Sequence, residues 1–397
     1  MLLLLLLLPR SCCGPCCEQT QTSSHRTTRE PTWPDEQRHF ASMTAPVPLA
    51  HVPVLAREIV ELLVKQRPLI AARSSPLAGP ASKLVFLDAT FGAGGHTRLI
   101  LHGLPDAVVV AADRDVTALE RIRTIEPVGV RERIVPVHMR FSEIGRRMRA
   151  VQVGDAGTPT RLWGALMDLG VSSMQIDTDG RGFSFQSEGP LDMRMDQNDA
   201  STPTAADLVN SMREKDLEDT IRKYGEERYA GRIASAIVSK KPFATTKQLA
   251  DVVRAVMPFG QYKDTDKHPA TRTFQALRIA VNDEMNELKQ GLHDIEALME
   301  PGGVLCGTKH DRKIKSNIKK KTFFFFSLVL SYHSLEDRLV KQFINQPAEE
   351  DGLPRFQSLF KSVLTPQRDE IDQNPRARSA KLRVGIRTSA PPRRPST

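Results

Sequence analysis

At 397 residues the chain has room for two or three domains and a sizeable core, and 40% hydrophobic with 26% charged residues is an ordinary globular composition. These proportions exclude a low-complexity, collagen-like or disulfide-scaffold chain, and no run is long and apolar enough for a membrane helix. A formal charge of +9 points to a polyanionic partner, although a cationic leader or tail produces the same bias.

Residues 1–42 read as a leader outside the fold. The apolar stretch Leu2 to Leu8 is stopped by Pro9 and Arg10, too soon to span a bilayer. Arg10, Arg26, Arg29 and Arg38 among many Ser and Thr favour mitochondrial import, against the acids Glu18, Glu30, Asp35 and Glu36. Arg38-His39-Phe40-Ala41-Ser42 resembles a matrix-protease cleavage site, so the mitochondrial matrix is the expected compartment. Cys12, Cys13, Cys16 and Cys17 fall in this leader and Cys306 stands alone in the body. With no second cluster or histidine pair beside them, no metal site is expected.

His51 to Leu55 reads as an extended segment, Glu58 to Leu63 as an amphipathic helix, and a Pro/Ser/Gly linker runs on through Ser82. An α/β domain then begins. Leu84 to Leu87 is a buried strand that breaks into Asp88-Ala89-Thr90-Phe91-Gly92-Ala93-Gly94-Gly95-His96, a glycine turn able to bring backbone N–H groups close to a ligand. A second strand ends at Asp113, about 25 residues after Asp88, near the spacing at which an acid meets a ribose hydroxyl pair. A helix follows from Val116 to about Ile125, then a strand from Ile134 to Val137, a basic helix from Ser142 to Ala150, and a fourth strand, Leu162 to Leu169, that closes on Asp168-Leu169-Gly170-Val171-Ser172-Ser173. This alternation means a doubly wound parallel sheet with ligands at the carboxyl ends of its strands.

After the Gly/Phe/Ser loop Gly182 to Leu191 come only helices, at Thr204 to Asn210, Glu214 to Tyr224, Glu227 to Lys240, Thr246 to Val256 and Thr273 to His293. The expected organisation is a sheet domain from 43–190 and 297–388, an inserted helical substrate-recognition domain from 191–296, and a disordered tail from 389–397. The sheet resumes at Gly302 to Cys306, but a basic stretch and the run Phe323 to Phe326 interrupt it. Codons for that run and the residues before Val329 can encode a pyrimidine tract ending in AG, and the Gly307 codon can supply a G followed by GT. Residues 307–328 are therefore expected to be translated intron, and the uninterrupted strand is Val304-Leu305-Cys306-Val329-Leu330. Two last strands are expected within Arg355 to Leu364 and Ser379 to Arg387.

The segments Asp88 to His96, Asp168 to Ser173, Arg181 to Phe185, Gly189 to Asp196, Tyr224 to Arg228, His268 to Arg278, Ser331 to Arg338 and Asn374 to Arg383 together resemble the MraW/RsmH family over roughly His51 to Arg387. With its leader the chain resembles the animal mitochondrial branch. The resemblance implies a Rossmann-like S-adenosylmethionine-dependent methyltransferase that modifies the exocyclic N4 of a cytidine in small-subunit ribosomal RNA, supporting subunit maturation. It places cofactor contacts on Asp88, Gly92, Gly94, Gly95, His96, Asp113, Phe141, Asp168 and Gln175. Asp168, Ser172 and His333 are the catalytic candidates, with Ser173 beside them. RNA contacts fall on Arg194, Arg272, Arg278, Arg338, Lys341, Arg376, Arg378, Lys381 and Arg383, of which Arg272 has Asp283 or Glu284 as an internal partner instead. A homodimer stays open.

Two rivals compete. A dinucleotide oxidoreductase uses the same sheet, but here the glycines are Gly92, Gly94 and Gly95 and an acid precedes the loop, which favours a methyl donor. The other is a non-catalytic RNA-binding assembly factor, its active domain split by the insertion before Tyr332.

Overall fold

The computed structural model describes residues 53–71, 84–125, 127–153, 160–258, 268–299, 326–347 and 351–393; the leader, its cysteines and Gly302 to Cys306 lie outside them. One sheet contains β1 (Leu84–Asp88), β2 (Ala107–Asp113), β3 (Ile134–His138), β4 (Gly164–Asp168), β5 (Phe326–Ser331), β6 (Phe356–Ser358) and β7 (Lys381–Arg387), in the order β3-β2-β1-β4-β5-β7-β6. Strands β1 to β5 are parallel, and β7 runs antiparallel to both β5 and β6. Chain order reverses between β1 and β4, which opens a crevice at their carboxyl ends. β2 is buried from Ala107 to Ala112, as an uninterrupted apolar run must be when helices cover both faces of a parallel sheet.

Around the sheet lie α1 (Ala56–Ala71), α2 (Gly95–Gly103), α3 (Ile144–Ala150) and α4 (Ser173–Asp177). Between β4 and β5 the chain forms α5 (Ala205–Ser211), α6 (Glu214–Gly225), α7 (Ala230–Ser239), α8 (Thr246–Val256), α9 (Thr271–Asn282) and α10 (Glu284–Leu298); α11 (Ser334–Asn345) follows β5. The spacing that predicts one helix over Thr273 to His293 is continuous, yet the structure breaks it at Asp283, whose backbone is left-handed (φ 49°). The break separates two cores. Leu217, Ile221, Ile233, Leu249 and Leu277 pack together among α6 to α9, whereas Leu288, Leu292 and Ile295 of α10 join the core of the sheet.

The expected intron bears on β5. Its first half is Phe326-Ser327-Leu328, within the segment expected to be intron, paired with Gly164, Ala165 and Leu166. Removing 307–328 would place Val304, Leu305 and Cys306 at those three positions without moving Val329 or Leu330. Ser327 is buried there, and its hydroxyl has no hydrogen-bond partner among the described residues. The second correction is the tail. Residues 389–393 are held in place by Arg393, whose guanidinium meets the buried Glu296, donates to the Gln346 carbonyl at 2.8 Å and lies 4.4 Å over the Phe343 ring.

Candidate active site

A cavity of about 500 Å³ opens at the carboxyl ends of β1, β2 and β4. One wall comes from residues close together in sequence. After β1 the chain turns at Gly92 (φ 52°), whose N–H donates to Asp113 Oδ2 at 2.8 Å, while the Asp115 N–H donates to Oδ1 at 2.8 Å. Burial pushes the Asp113 carboxyl up to about 6 despite these two donors. Gly94 (φ 77°) caps α2, and a Cβ there would lie 2.8 Å from the Phe91 ring. His96 sets Nε2 3.0 Å from the Val54 carbonyl and Nδ1 3.6 Å from Asp168 Oδ2.

Phe141 lines the cavity with its back to α10, where a Cβ on Gly291 would sit 2.8 Å from Phe141 Cβ. The next residue, Ser142, donates its N–H and hydroxyl to Glu287, each at 2.9 Å, so the ring is fixed from two sides. Gln175 accepts the Ser172 N–H at 3.0 Å and donates to Asp115 at 3.0 Å; Arg181 reaches the same Asp115 oxygen at 2.6 Å.

The opposite wall is assembled from distant segments. Asp168 Oδ1 accepts the Tyr332 hydroxyl at 2.6 Å. Around this pair the cavity is lined by Gly170, Ser172, Ser173, Arg278, Asn282 and Arg376. Asn282 donates to the Met193 carbonyl at 2.7 Å and accepts the Met195 N–H at 2.9 Å, tying the loop after Leu191 to the break between α9 and α10.

Gly92, Gly95, His96, Asp113, Phe141, Asp168 and Gln175 thus meet at one cavity, with Ser172 and Ser173 on its rim. Other expected contacts do not. Asp88 is fully buried beneath the turn and absent from the lining, where it accepts Thr97 Oγ1 at 2.6 Å and the Thr90 N–H at 3.2 Å, bracing the loop from below. Gly94 likewise shapes the turn from its buried side. His333, expected as a catalytic candidate, is the N-cap of α11: Nδ1 accepts the Glu336 N–H and Nε2 lies 3.1 Å from Glu336 Oε1. Both ring nitrogens are turned onto its own helix.

The cations divide in the same way. Arg194 is clamped on Asp192 at 2.9 and 3.0 Å, Arg278 on Glu284 at 2.7 and 2.8 Å, and Arg383 on Asp337 at 2.7 Å with Lys381 at 3.5 Å from the same acid. These four cations, expected to meet phosphates, are each held in an internal ion pair, which a partly buried cation needs. Arg278 also supplies positive charge to the cluster of Glu284, His333 and Glu336. Arg272, Arg338, Lys341, Arg376 and Arg378 are exposed. Arg272 reaches the Glu226 carbonyl at 3.2 Å rather than Asp283 or Glu284, Arg338 meets Glu226 at 3.0 Å, and Arg376 meets Asp177 at 3.1 Å. Tyr332 lies within Ser331 to Arg338 but does not stand out in the sequence, because the neighbouring imidazole of His333 is the better acid or base. Gly291 and Asn282 carried no local signal.

A backbone turn, a carboxylate able to take a hydroxyl pair, and a flat apolar ring fit a purine nucleoside with a charged tail, and the cavity has room for one. On this strand order they define an S-adenosylmethionine-dependent methyltransferase. Residues 48–324 and 312–388 match the model of the MraW methylase family. A protein of Nitrobacter winogradskyi named ribosomal RNA small subunit methyltransferase H is 42% identical over 363 residues, 88% of this chain and 93% of that protein. Proteins of the same name from Bradyrhizobium diazoefficiens (41% over 355 residues, 86% of this chain and 92% of the relative) and Methylorubrum populi (40% over 361 residues, 87% and 89%) are similar to it as well. The chain belongs to the MraW methylase family, which sets aside the oxidoreductase reading.

Among the described residues no helix is long and apolar enough to cross a membrane.

Proposed function

We propose that the chain methylates the exocyclic N4 of a cytidine in small-subunit ribosomal RNA, that it does so in mitochondria, and that this modification supports subunit maturation. The observation that carries the reading is Asp168 at the end of β4, lining the cavity between the cofactor loop and Tyr332. Bound at Gly92, Gly95, His96, Asp113, Phe141 and Gln175, S-adenosylmethionine supplies an electrophilic methyl group. Cytosine N4 is a poor nucleophile because its lone pair is delocalised into the ring. Asp168 accepts an N–H of that amine, turns the lone pair toward the methyl and offsets the positive charge that grows on nitrogen. The amine proton then passes to water. Ser172 and Ser173 hold the base, and the exposed Arg272, Arg338, Lys341, Arg376 and Arg378 meet phosphates. The names of the relatives support the RNA substrate. The Arg- and Ser-rich composition of residues 1–42 supports import.

The assembly-factor reading requires the insertion to have divided the site. Against it, β5 pairs with β4 and delivers Tyr332 onto Asp168. The same proposal holds residues 307–328 to be translated intron, supported by the buried hydroxyl of Ser327, which has no hydrogen-bond partner among the described residues. Deleting the gene and mapping 4-methylcytidine in mitochondrial ribosomal RNA tests the function: loss of one modified cytidine is expected, and an unchanged map contradicts it.

A further inference from the structure

Tyr332 is the first residue beyond β5, and its place is set without any ligand. Leu330 is the register partner of Asp168, so the phenol two residues on arrives over the end of β4. The Tyr332 N–H donates to Glu336 Oε2 at 2.9 Å, which holds the turn into α11. The ring passes Gly170, where a Cβ would stand 3.9 Å from Tyr332 Cδ2. From this platform the hydroxyl donates to Asp168 Oδ1 at 2.6 Å.

A carboxylate on a short side chain rotates over a broad torsional well, and an acceptor that must meet one amine N–H loses efficiency when its plane wanders. We propose that Tyr332 is a positioning residue whose hydroxyl fixes the Asp168 carboxylate by Oδ1 and so presents Oδ2 to the amine being methylated. This rests on the reading of Asp168 as the acceptor for that amine. A hydroxyl bound to an ionised oxygen is among the stronger hydrogen bonds, so it both orients the carboxylate and favours its charged form. Burial and the adjacent Asp168 charge push the phenol well above its ordinary range, and it serves as a donor that keeps its proton. The titratable groups facing the pair are His96 from α2 and the buried Asp88 from β1, with Glu336 and Glu370 near the phenol.

Tyr332→Phe in the full-length chain removes the donor and keeps the ring. The expected result is a fall in kcat of about 10- to 100-fold, the cost of a hydrogen bond to a charged group. KM for RNA and the calorimetric Kd for S-adenosylmethionine stay within about threefold. Because the lost bond favoured the ionised carboxylate, the acid limb of the kcat profile moves to higher pH. An unchanged kcat, a fall in kcat without movement of that limb, or loss of cofactor binding overturns the positioning role. Full activity in Asp168→Asn overturns instead the reading of Asp168 on which it rests.

Discussion

The two walls of the cavity are built in opposite ways. The cofactor wall comes from β1, β2 and the turns that follow them, held by backbone N–H groups on Asp113 and by small residues that admit Phe91 and Phe141. The substrate wall draws Arg278, Asn282, Tyr332 and Arg376 from segments far apart in the chain, and buried or half-buried charge pairs hold much of it together. A wall made of backbone tolerates side-chain exchange but is sensitive to added volume. A wall made of ion pairs fails when one partner is lost, because the other is left buried and uncompensated.

That contrast orders the expected effects. The largest is at the junction of the walls: Asp168→Asn keeps the shape and removes the charge, so kcat falls at least about 100-fold, the scale for deleting one preorganised electrostatic partner, in single-turnover assays. Next is the substrate wall itself. Arg278→Ala strands the buried Glu284 and lowers stability by about 3–5 kcal/mol in denaturant titrations, whereas a phosphate-binding Arg278 would leave stability unchanged. Deleting 307–328 replaces the Ser327 hydroxyl, buried without a partner among the described residues, by Leu305 and raises stability by about 1–3 kcal/mol; a destabilised deletion protein would show that this segment belongs to the fold.

The cofactor wall responds to pH. Asp113 titrates near 6 in the folded chain, above the ordinary carboxylate value of 3.8. Its favourable contribution to folding is therefore present below about 3.8 and lost as pH rises through about 6, the opposite of a salt-bridged acid. On the proposed reading of Asp113 as the ribose acceptor, hydroxyls donate to its ionised form, so cofactor affinity is expected to fall about tenfold between pH 8 and pH 5, and Asp113→Asn to flatten that step in calorimetry. The smallest effect is at the exposed rim. Arg376→Ala changes stability by less than about 1 kcal/mol. It weakens RNA binding and reduces the salt slope by about one, while cofactor binding is unchanged.

The same contrast explains what was legible in the sequence. A strand end, an acid and a glycine turn lie within a few residues of one another from Asp88 to His96, and a second strand ends on Asp113, so this loop and Asp113 stand out in the sequence, whereas Phe141 and Gln175 rest on the family resemblance alone. Asp88 reads as a contact because sequence shows that an acid precedes a loop, not that Thr97 covers it. Arg383 reads as a phosphate ligand because nothing local reveals Asp337, which tertiary packing brings to it from 46 residues away, whereas Asp192 and Glu284 stand only two and six residues from Arg194 and Arg278 and give no sign in the sequence that they face them. The break at Asp283 is invisible to periodicity, since α9 and α10 keep helical spacing on either side of one left-handed residue. Arg393 seemed part of a loose tail because its partner Glu296 is 97 residues away.

The most direct measurement is nucleoside analysis of small-subunit ribosomal RNA incubated with the purified chain and S-adenosylmethionine. The account requires 4-methylcytidine, formed by the wild type and not by Asp168→Asn. Methyl at carbon 5 of cytosine, methyl on another base, or equal product from the two proteins would contradict it.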